Sequence, residues 1–267
     1  MDISVNHLDL KKTFECGQCF RWEEDGNGGY YGTVSGEAAH LTHCGGILHI
    51  DSRLPEDFWM NYFDLYADYD SLSDGFRGRS RFLDECIDFG RGIRLLNQEP
   101  WEALCSFIIS QCNNIPRIKK IITGLCTLYG DRVEYENYVN YSFPAPEHLA
   151  GLKPEGLASL HCGYRAPYII AAAKAVTDGS IDLEALKRTD FNTAVRELCK
   201  LYGVGKKVAN CAALFGLGHK EGFPVDTWMK KALREYFPPD FRPESLGEYA
   251  GLAQQYIFYY SRENRIE

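Results

Sequence analysis

Two residues, Lys207 and Asp226, have types and a spacing that point directly to chemistry. Lys207 opens a predicted helix after the tight 203–205 turn, and Asp226 stands where the next helix is predicted to begin. A neutral lysine amine is a nucleophile that can form a Schiff base, and a carboxylate nearby stabilises developing positive charge. With a phosphate-binding turn beside them, these two groups are equipped to attack a sugar carbon in DNA.

The 203–205 turn, Gly-Val-Gly, links a predicted helix over 190–201 to another over 206–217. Gly203 and Gly205 permit left-handed backbone angles and leave room for a ligand, so backbone N–H groups at the helix start can face a phosphate oxygen. A plain corner between two packed helices is the alternative interpretation of the turn alone. The adjoining lysines favour a phosphate site, in which Lys206 is predicted to pair with phosphate as a point charge.

The charge of the chain is unevenly distributed. Its formal net charge of −8 over 267 residues argues by itself against phosphate binding. Residues 195–235 nevertheless hold eight Lys or Arg and four Asp or Glu, whereas residues 51–75 hold seven Asp or Glu and one Arg. Segregation of this kind permits a DNA-binding face on an acidic protein.

The composition excludes several other classes of protein. A hydrophobic content of 45% and a charged content of 25% are ordinary for a globular protein. No apolar run reaches the roughly 18 residues that span a bilayer, and the first residues lack a secretion signal, so a cytoplasmic protein without a membrane partner is expected. The ten cysteines follow no disulfide framework, and several lie in apolar stretches typical of reduced, buried thiols.

An α+β fold is predicted, with an antiparallel sheet at the N-terminus and an all-helical body after it. Residues 14–50 contain aromatic and β-branched runs separated by glycine-rich turns, which is the pattern of a meander. A short helix is predicted over 55–70, and the helical period dominates from about residue 79. Asn113 or Asn114 is a plausible cap for a helix near Pro116. Two domains are expected, over 1–95 and 96–267. Later helices are predicted over 164–177, 182–188, 190–201, 206–217, 227–236 and 245–262.

Six segments of the chain, taken in order, resemble the 8-oxoguanine DNA glycosylases of the helix–hairpin–helix (HhH-GPD) base-excision repair superfamily. They cover most of residues 14–260 and are GQCFRW at 17–22, NQEPWEALCSFIISQCNNIPRI at 97–118, CGYRAPY at 162–168, GVGKKVANC at 203–211, PVD at 224–226 and YAGLAQQYIF at 249–258. Six ordered matches make chance a poor explanation. The resemblance implies that the helical body is an HhH-GPD catalytic domain and that the partner is double-stranded DNA containing 8-oxoguanine.

The resemblance further implies a bifunctional DNA glycosylase and abasic-site lyase that needs no cofactor. Lys207 matches the family's nucleophile, whose neutral amine displaces the damaged base at C1′ and forms a Schiff base with the opened sugar. That imine acidifies the C2′ proton, and the 3′ phosphate leaves by β-elimination. Asp226 matches the family's catalytic carboxylate and is also a favoured helix N-cap. The two roles are compatible, because a capping side chain is held rigid.

A pocket for a flipped base is implied as well, because the target must leave the duplex before its atoms can be reached. 8-Oxoguanine carries N7–H where guanine has an acceptor, and Gly17 matches the residue whose carbonyl accepts that proton. By resemblance Gln254 recognises the Watson–Crick edge, while Phe258 and Cys211 stack on the two faces of the base. Each of these residues alone is more typical of core packing.

The resemblance also implies residues that fill the gap in the duplex and hold the orphaned cytosine. They are Asn113, Asn114 and Arg117, which match the void-filling loop, and Tyr164 and Arg165, which match the wedge and the cytosine contact. Phosphate contact or helix capping is the alternative for these side chains. A preference for 8-oxoguanine opposite cytosine is expected. Two positions depart from the family pattern: Cys112 stands where the first of three asparagines is usual, and Trp228 where His is expected.

Cys16 and Cys19 form a CxxC pair, but no second ligand pair at usable spacing accompanies it, so no metal is expected. Two other functions stay open. A monofunctional glycosylase for alkylated bases would use activated water, and Lys207 argues against it. A non-catalytic helix–hairpin–helix module would only bind DNA, and it would need neither Lys207 nor Asp226. A monomer is the expected oligomeric state.

Overall fold

The N-terminal part of the molecule is a five-stranded antiparallel sheet. In the computed structural model, which describes residues 1–135 and 138–264, the strand order is β1-β5-β4-β3-β2. Because side chains alternate across a strand, Tyr30, Leu41 and Ile50 share one face and are buried there. The strands are β1 Asp2–Ser4, β2 Trp22–Glu24, β3 Tyr30–Val34, β4 Glu37–Cys44 and β5 Ile47–Ser52.

Helices make up most of the chain after the sheet. The first are α1 Leu10–Glu15, which precedes β2, and α2 Glu56–Tyr62, α3 Tyr69–Phe76 and α4 Arg81–Gly90. The body contains α5 Pro100–Ile109, α6 Ile115–Tyr129, α7 Pro146–Ala150, α8 Ala166–Thr177, α9 Leu183–Leu186, α10 Phe191–Leu198, α11 Lys206–Phe215, α12 Thr227–Tyr236 and α13 Ala250–Glu263. Short 3₁₀ turns lie at Pro154–Leu160, Gly163–Arg165 and Pro243–Leu246. In the described ranges no helix is long and apolar enough to cross a membrane.

The predicted α+β fold is confirmed, with two local corrections. The body is not entirely helical, because β6 Arg132–Tyr135 and β7 Tyr138–Tyr141 form an antiparallel hairpin. Each strand has only four residues, and Tyr138 and Val139 are adjacent in β7, so the alternating strand period is weak in this segment. Residues 14–21 are not strand: Asp9 caps α1 by accepting from Lys12 N at 2.9 Å, and the chain then turns at Gly17.

Two hydrophobic cores meet at the segment 16–20, which connects α1 to β2. One core lies between the sheet and α2, and the other fills the helical body. Cys16 and Phe20 are buried in the helical core, whereas Cys19 is buried in the sheet core, so the segment is held from both sides. The domain limits 1–95 and 96–267 stay a prediction; α3 and α4, which precede residue 95, pack in the helical core.

Candidate active site and DNA interface

The predicted glycine turn between two helices is present as α10, a tight link and α11. Gly203 has φ +81°, and a Cβ placed on it would overlap the ring of Tyr168. Gly205 is the N-cap of α11 and has open space around it. The start of α11 therefore presents bare backbone N–H groups, an arrangement that favours a bound phosphate. Lys206, the first residue of α11, is exposed beside them.

Lys207 and Asp226 lie at the junction of two cavities, since both side chains line each of them. Lys207 is partly buried on the first turn of α11, and its Nζ donates to Ser110 Oγ at 3.3 Å. The same amine lies 5.5 Å from the centre of the Phe107 ring. Asp226 caps α12, as predicted, by accepting a hydrogen bond from Met229 N at 2.9 Å. The candidate nucleophile and carboxylate thus border the same space.

The smaller cavity, called the inner pocket below, brings together all the residues predicted to hold a flipped base. Its volume of about 40 Å³ has room for little more than a water molecule, so a purine enters only if a wall moves. The walls come from the 16–20 segment, from helices α5, α11 and α13, and from the stretch that precedes α12. They consist of Gly17, Phe107, Lys207, Cys211, Phe215, Pro224, Asp226, Gln254, Gln255 and Phe258.

Phe258 packs directly over Gly17. Gly17 has φ +89°, and a Cβ placed there would stand 3.2 Å from Phe258 Cε1. Arg262, one turn further along α13, donates from Nη2 to Glu15 O at 2.7 Å, and its guanidinium lies 5.8 Å from the centre of the Phe258 ring. Arg262 thereby ties the segment that carries Gly17 to α13. Opening the pocket for a base requires Phe258 to move away from Gly17.

Cys211 lies one helical turn after Lys207 on α11 and is buried in the inner pocket. Burial raises the pKa of its thiol, and the nearby Lys207 amine opposes this effect only in part. The thiol therefore stays protonated at neutral pH and does not compete with the lysine as a nucleophile. A neutral, polarisable sulfur suits the predicted stacking contact with a base.

Gln255 is a pocket residue that the sequence patterns did not predict. Gln254 and Gln255 are each 3% exposed on α13, and Gln255 Nε2 donates to Gln254 Oε1 at 2.8 Å. The AQQYIF stretch contained the signal, but consecutive helical residues are not expected to face the same neighbour. In the structure both side chains line the inner pocket.

The larger cavity, called the outer cleft below, has a volume of about 440 Å³. The start of α11 and the α5–α6 loop face it together, which suits a DNA strand that delivers a base to the inner pocket. Trp228, at the position where His is expected, borders this cleft, and Lys231 Nζ lies 5.7 Å from its ring centre. The lining consists of Ser110, Gln111, Cys112, Asn113, Gly205, Lys207, Val208, Val225, Asp226, Thr227, Trp228 and Lys230.

Asn113 and Asn114 lie in the α5–α6 loop, and their side chains form hydrogen bonds within it. Asn114 Oδ1 accepts from Arg117 N at 3.0 Å, which makes Asn114 the cap of α6. Asn113 Nδ2 donates to Ile109 O at 3.2 Å. Cys112 precedes them with φ +47°, a left-handed conformation that Asn adopts more readily than Cys. The loop keeps a backbone shape that suits asparagine although a cysteine occupies the position.

The Arg165 guanidinium, predicted to contact cytosine, is engaged with backbone carbonyls. Its Nε donates to Gln111 O at 2.8 Å, and its Nη2 donates to Cys112 O at 3.0 Å. A third bond runs from Nη1 to Cys162 O at 3.3 Å. Tyr164 is 48% exposed, and its hydroxyl donates to Gln111 O at 3.1 Å. Contact with an orphaned base requires Arg165 to leave part of this network, whereas Tyr164 is already accessible.

Arg117 is exposed on the first turn of α6 and donates from Nη2 to His161 O at 3.1 Å. This bond joins the start of α6 to the segment just before the turn that carries Tyr164 and Arg165. The residues predicted to fill the gap in the duplex and to hold the orphaned cytosine therefore form one connected group next to the outer cleft. Lys207 and Asp226 lie between this group and the inner pocket.

The Cys16–Cys19 pair is buried, and burial raises the pKa of Cys16 to about 11. Cys16 Sγ donates to Thr13 O at 3.3 Å, and Cys19 Sγ donates to Phe14 O at 3.6 Å. Protonated, hydrogen-bonded thiols are poor metal ligands, because a ligand thiol must lose its proton. Across the described residues, no group of three or more His, Cys, Asp or Glu is placed to hold a metal ion.

A wider cavity of about 750 Å³ lies on another part of the body. Asp190, Glu221, Glu244 and Glu248 line it together with Lys220. Four carboxylates around one cavity disfavour a phosphate backbone. None of the site residues predicted from the sequence borders it. The inner pocket and outer cleft are therefore the candidate site for DNA.

Two family models match the chain. Residues 1–104 match the N-terminal domain of 8-oxoguanine DNA glycosylase, and residues 105–246 match the HhH-GPD superfamily of base excision DNA repair proteins. The chain belongs to the 8-oxoguanine DNA glycosylases of the HhH-GPD superfamily. The resemblance inferred from the six sequence segments is confirmed.

Proteins from three organisms are similar to this chain over most of its length. The N-glycosylase/DNA lyase of Saccharomyces cerevisiae is 39% identical over 268 residues, which is 88% of this chain and 70% of the yeast protein. The N-glycosylase/DNA lyase OGG1 of Arabidopsis thaliana is 29% identical over 97% of this chain and 78% of the plant protein. The 8-oxoguanine glycosylase/lyase of Clostridium acetobutylicum was solved with double-stranded DNA containing cytosine opposite 8-oxoguanine. It matches with a TM-score of 0.89 and 38% identity over 97% of this chain and 93% of that one.

Proposed function

We propose that this protein is a bifunctional DNA N-glycosylase and abasic-site lyase that flips 8-oxoguanine out of double-stranded DNA and excises it. One observation carries the proposal: the inner pocket places Lys207 and Asp226 beside Gly17, Cys211 and Gln254. Residues from separate segments, predicted to perform catalysis or to hold the base, thereby border one cavity. The glycosylase/lyase activity named for the similar proteins supports the same function.

Lys207 is the proposed nucleophile. Its amine attacks C1′ of the sugar, the bond to the base breaks, and the base leaves with the bonding electrons and takes up a proton. Opening of the sugar ring gives a Schiff base with Lys207, and loss of the C2′ proton then expels the 3′ phosphate. Asp226, held by its bond to Met229 N, stabilises the positive charge that develops on the sugar.

Selection of the damaged base rests on the proton at N7. The Gly17 carbonyl accepts a hydrogen bond from N7–H of 8-oxoguanine, whereas in guanine it would face a lone pair. The bond from Arg262 to Glu15 O fixes the segment that presents this carbonyl. Phe258 and Cys211 enclose the two faces of the base once the Phe258 ring has moved.

The outer cleft is the proposed path of the damaged strand. Gly203, Gly205 and Lys206 hold a phosphate at the start of α11. The α5–α6 loop and Arg117 fill the gap in the duplex, with Asn113 and Asn114 at its tip, and Tyr164 acts as the wedge. Arg165 gives up hydrogen bonds to backbone carbonyls and donates instead to the free edge of the orphaned cytosine. This contact gives a preference for cytosine opposite the lesion. The protein is proposed to act as a monomer.

Borohydride trapping on a duplex with one 8-oxoguanine opposite cytosine tests the nucleophile. A covalent protein–DNA band is expected from wild type and not from Lys207→Gln, because only a primary amine forms a reducible imine. Lys206→Gln is the matched control, and it should bind DNA more weakly yet still give the band. The same assay with adenine, guanine or thymine opposite the lesion measures the preference for cytosine.

Each other outcome has a definite meaning. Base release without a trapped band would identify a monofunctional glycosylase that uses water. Neither release nor a band would favour another lesion as the substrate or a non-catalytic DNA-binding module. A band of full intensity from Lys207→Gln would place the nucleophile at another residue.

A further inference from the structure

Gln255 Oε1 is a buried acceptor that has no hydrogen-bond partner among the described residues. Gln255 is 3% exposed and lines the inner pocket from α13. Its Nε2 is already bonded to Gln254 Oε1 at 2.8 Å. Leaving a buried carbonyl oxygen unpaired is costly, so such a group in a folded protein requires an explanation. Its position on a pocket wall suggests that the partner is a ligand.

The bond between the two glutamines fixes which atoms they present. Because Gln254 Oε1 is directed at Gln255, the Nε2 donors of Gln254 lie on the other side of its amide and remain for a ligand. Gln255, whose Nε2 is the donor in that bond, presents Oε1. The pair therefore leaves one donor group and one buried acceptor without a bond to the described residues, beside the pocket that both side chains line.

The Watson–Crick edge of 8-oxoguanine has the complementary pattern. Its O6 is an acceptor at one end of the edge, and its N2 amino group is a donor at the other end. Adjacent helical residues diverge by about 100°, which suits contact with two separate ends of an edge. We propose that Gln255 Oε1 accepts a hydrogen bond from the N2 amino group of the flipped base while Gln254 Nε2 donates to O6. This inference rests on the proposed function.

The two glutamines and Gly17 then recognise different features of one base. The Gly17 carbonyl distinguishes 8-oxoguanine from guanine by the proton at N7. The glutamine pair distinguishes 8-oxoguanine from 8-oxoadenine, which carries an amino group in place of O6 and has no N2 amino group. A site built to bond a polar group rejects an analogue that lacks it, because the buried protein group is left unpaired.

Single-turnover excision from two duplexes tests the inference. One contains 8-oxoguanine and the other 8-oxohypoxanthine, which lacks only the N2 amino group, each opposite cytosine. Gln255→Met should lower the rate on 8-oxoguanine about tenfold to a hundredfold. The loss on 8-oxohypoxanthine should be about tenfold smaller, because the contact to the N2 amino group is absent there and only the lost bond to Gln254 acts on both bases. The weaker pairing of 8-oxohypoxanthine cancels, since both proteins act on the same duplexes.

Gln255→Leu is the second variant, because it also lacks the acceptor and should show the same selective loss on 8-oxoguanine. It decides the question if the Met variant does not fold. Equal losses on both bases with either variant would overturn the inference. If the wild-type protein excises both bases at equal rates, the inference is overturned but the proposed function stands. Wild type that excises neither would overturn the proposed function, and the inference with it.

Discussion

At position 226 one carboxylate serves both the fold and the proposed chemistry. Asp226 Oδ1 accepts from Met229 N at 2.9 Å and so caps α12. The same side chain lines the inner pocket and the outer cleft, next to Lys207. The cap bond holds the carboxylate in place before substrate arrives, and such preorganisation makes an electrostatic group effective. The two roles can be separated, because capping needs only an oxygen whereas charge stabilisation needs the negative charge.

Asp226→Asn should therefore lower base excision without unfolding the protein. Asn caps helices as well as Asp does, so the free energy of unfolding should change by less than about 0.5 kcal/mol. Excision should fall by about 10²–10³-fold, the usual effect of removing one preorganised electrostatic group. Asp190→Asn is the matched control: Asp190 caps α10 through Thr193 N and lies outside the candidate site. Excision at the wild-type rate by Asp226→Asn would refute the catalytic role.

Gly17→Ala should slow excision through the inner pocket. A Cβ at this left-handed position would lie 3.2 Å from Phe258 Cε1, so the ring would be displaced and the carbonyl shifted. Gly36→Ala is the control, because Gly36 has φ +75° and open space around it. Both variants should lose about 1–2 kcal/mol of stability from the backbone conformation. Single-turnover rates should fall only for Gly17→Ala, and equal rates for the two variants would contradict the role of the Gly17 segment.

Lys207 and Asp226 could be singled out from the sequence, because Lys is the side chain that supplies an amine nucleophile and Asp is a favoured helix cap. The structure brings the two to one cavity, and their catalytic roles stay predictions. Gln255 could not be singled out, because its function depends on which of its atoms is left without a partner. The carbonyl bonds of Arg165 were equally unpredictable, since they join its guanidinium to a loop more than fifty residues earlier in the chain.

At the scale of elements, helix starts were easier to predict than the short strands of the body. The sequence placed the first residues of α11 and α12 at 206 and 227, and both begin there. Glycine and Asp supply local signals at those points. The β6–β7 hairpin was missed because contacts from elsewhere support it: the Tyr138 ring stacks on Tyr31 of β3 at 5.2 Å between ring centres. Such distant packing leaves no local pattern.

Gly203→Ala should weaken DNA binding by deforming the turn before α11. Gly203 has φ +81°, and the added Cβ would overlap the Tyr168 ring, so the hairpin would have to shift. Gly179→Ala is the matched control, with φ +76° and nothing near its Cβ. Overpacking should cost Gly203→Ala about 1–3 kcal/mol beyond the control. Affinity for a duplex containing an uncleavable abasic-site analogue should fall only for Gly203→Ala; unchanged affinity would exclude the turn from the interface.

At the scale of the whole molecule, the acidic net charge and a DNA-binding face coexist because charges are segregated. Lys207 and Lys230 line the outer cleft, whereas four carboxylates surround the separate 750 Å³ cavity. Phosphate therefore meets positive side chains at the proposed site although the net charge is −8. Lys220 also lines the acidic cavity, but its amine is directed into the body of the protein, toward Asn97.

Lys220 connects the stability of the whole molecule to pH. Burial lowers its pKa from the ordinary value of 10.5 to about 8, although its Nζ donates to Asn97 Oδ1 at 2.6 Å. Between pH 8 and 10.5 the unfolded chain binds the proton and the folded protein does not. The contribution of Lys220 to stability therefore rises with pH across this window, and the penalty of about 3 kcal/mol is fully present below pH 8.

Lys220→Met removes this titration and should stabilise the protein most at neutral pH. Relative to wild type, the gain in free energy of unfolding should shrink by about 3 kcal/mol between pH 7 and pH 10.5, because wild type sheds its penalty as the amine loses its proton. Urea unfolding of both proteins at several pH values measures the difference, in which the other titrating groups cancel. Lys11→Met, at an exposed lysine, should show no such trend. A difference between Lys220→Met and wild type that stays constant with pH would mean that the buried amine keeps its ordinary pKa, and that its bond to Asn97 compensates fully for its burial.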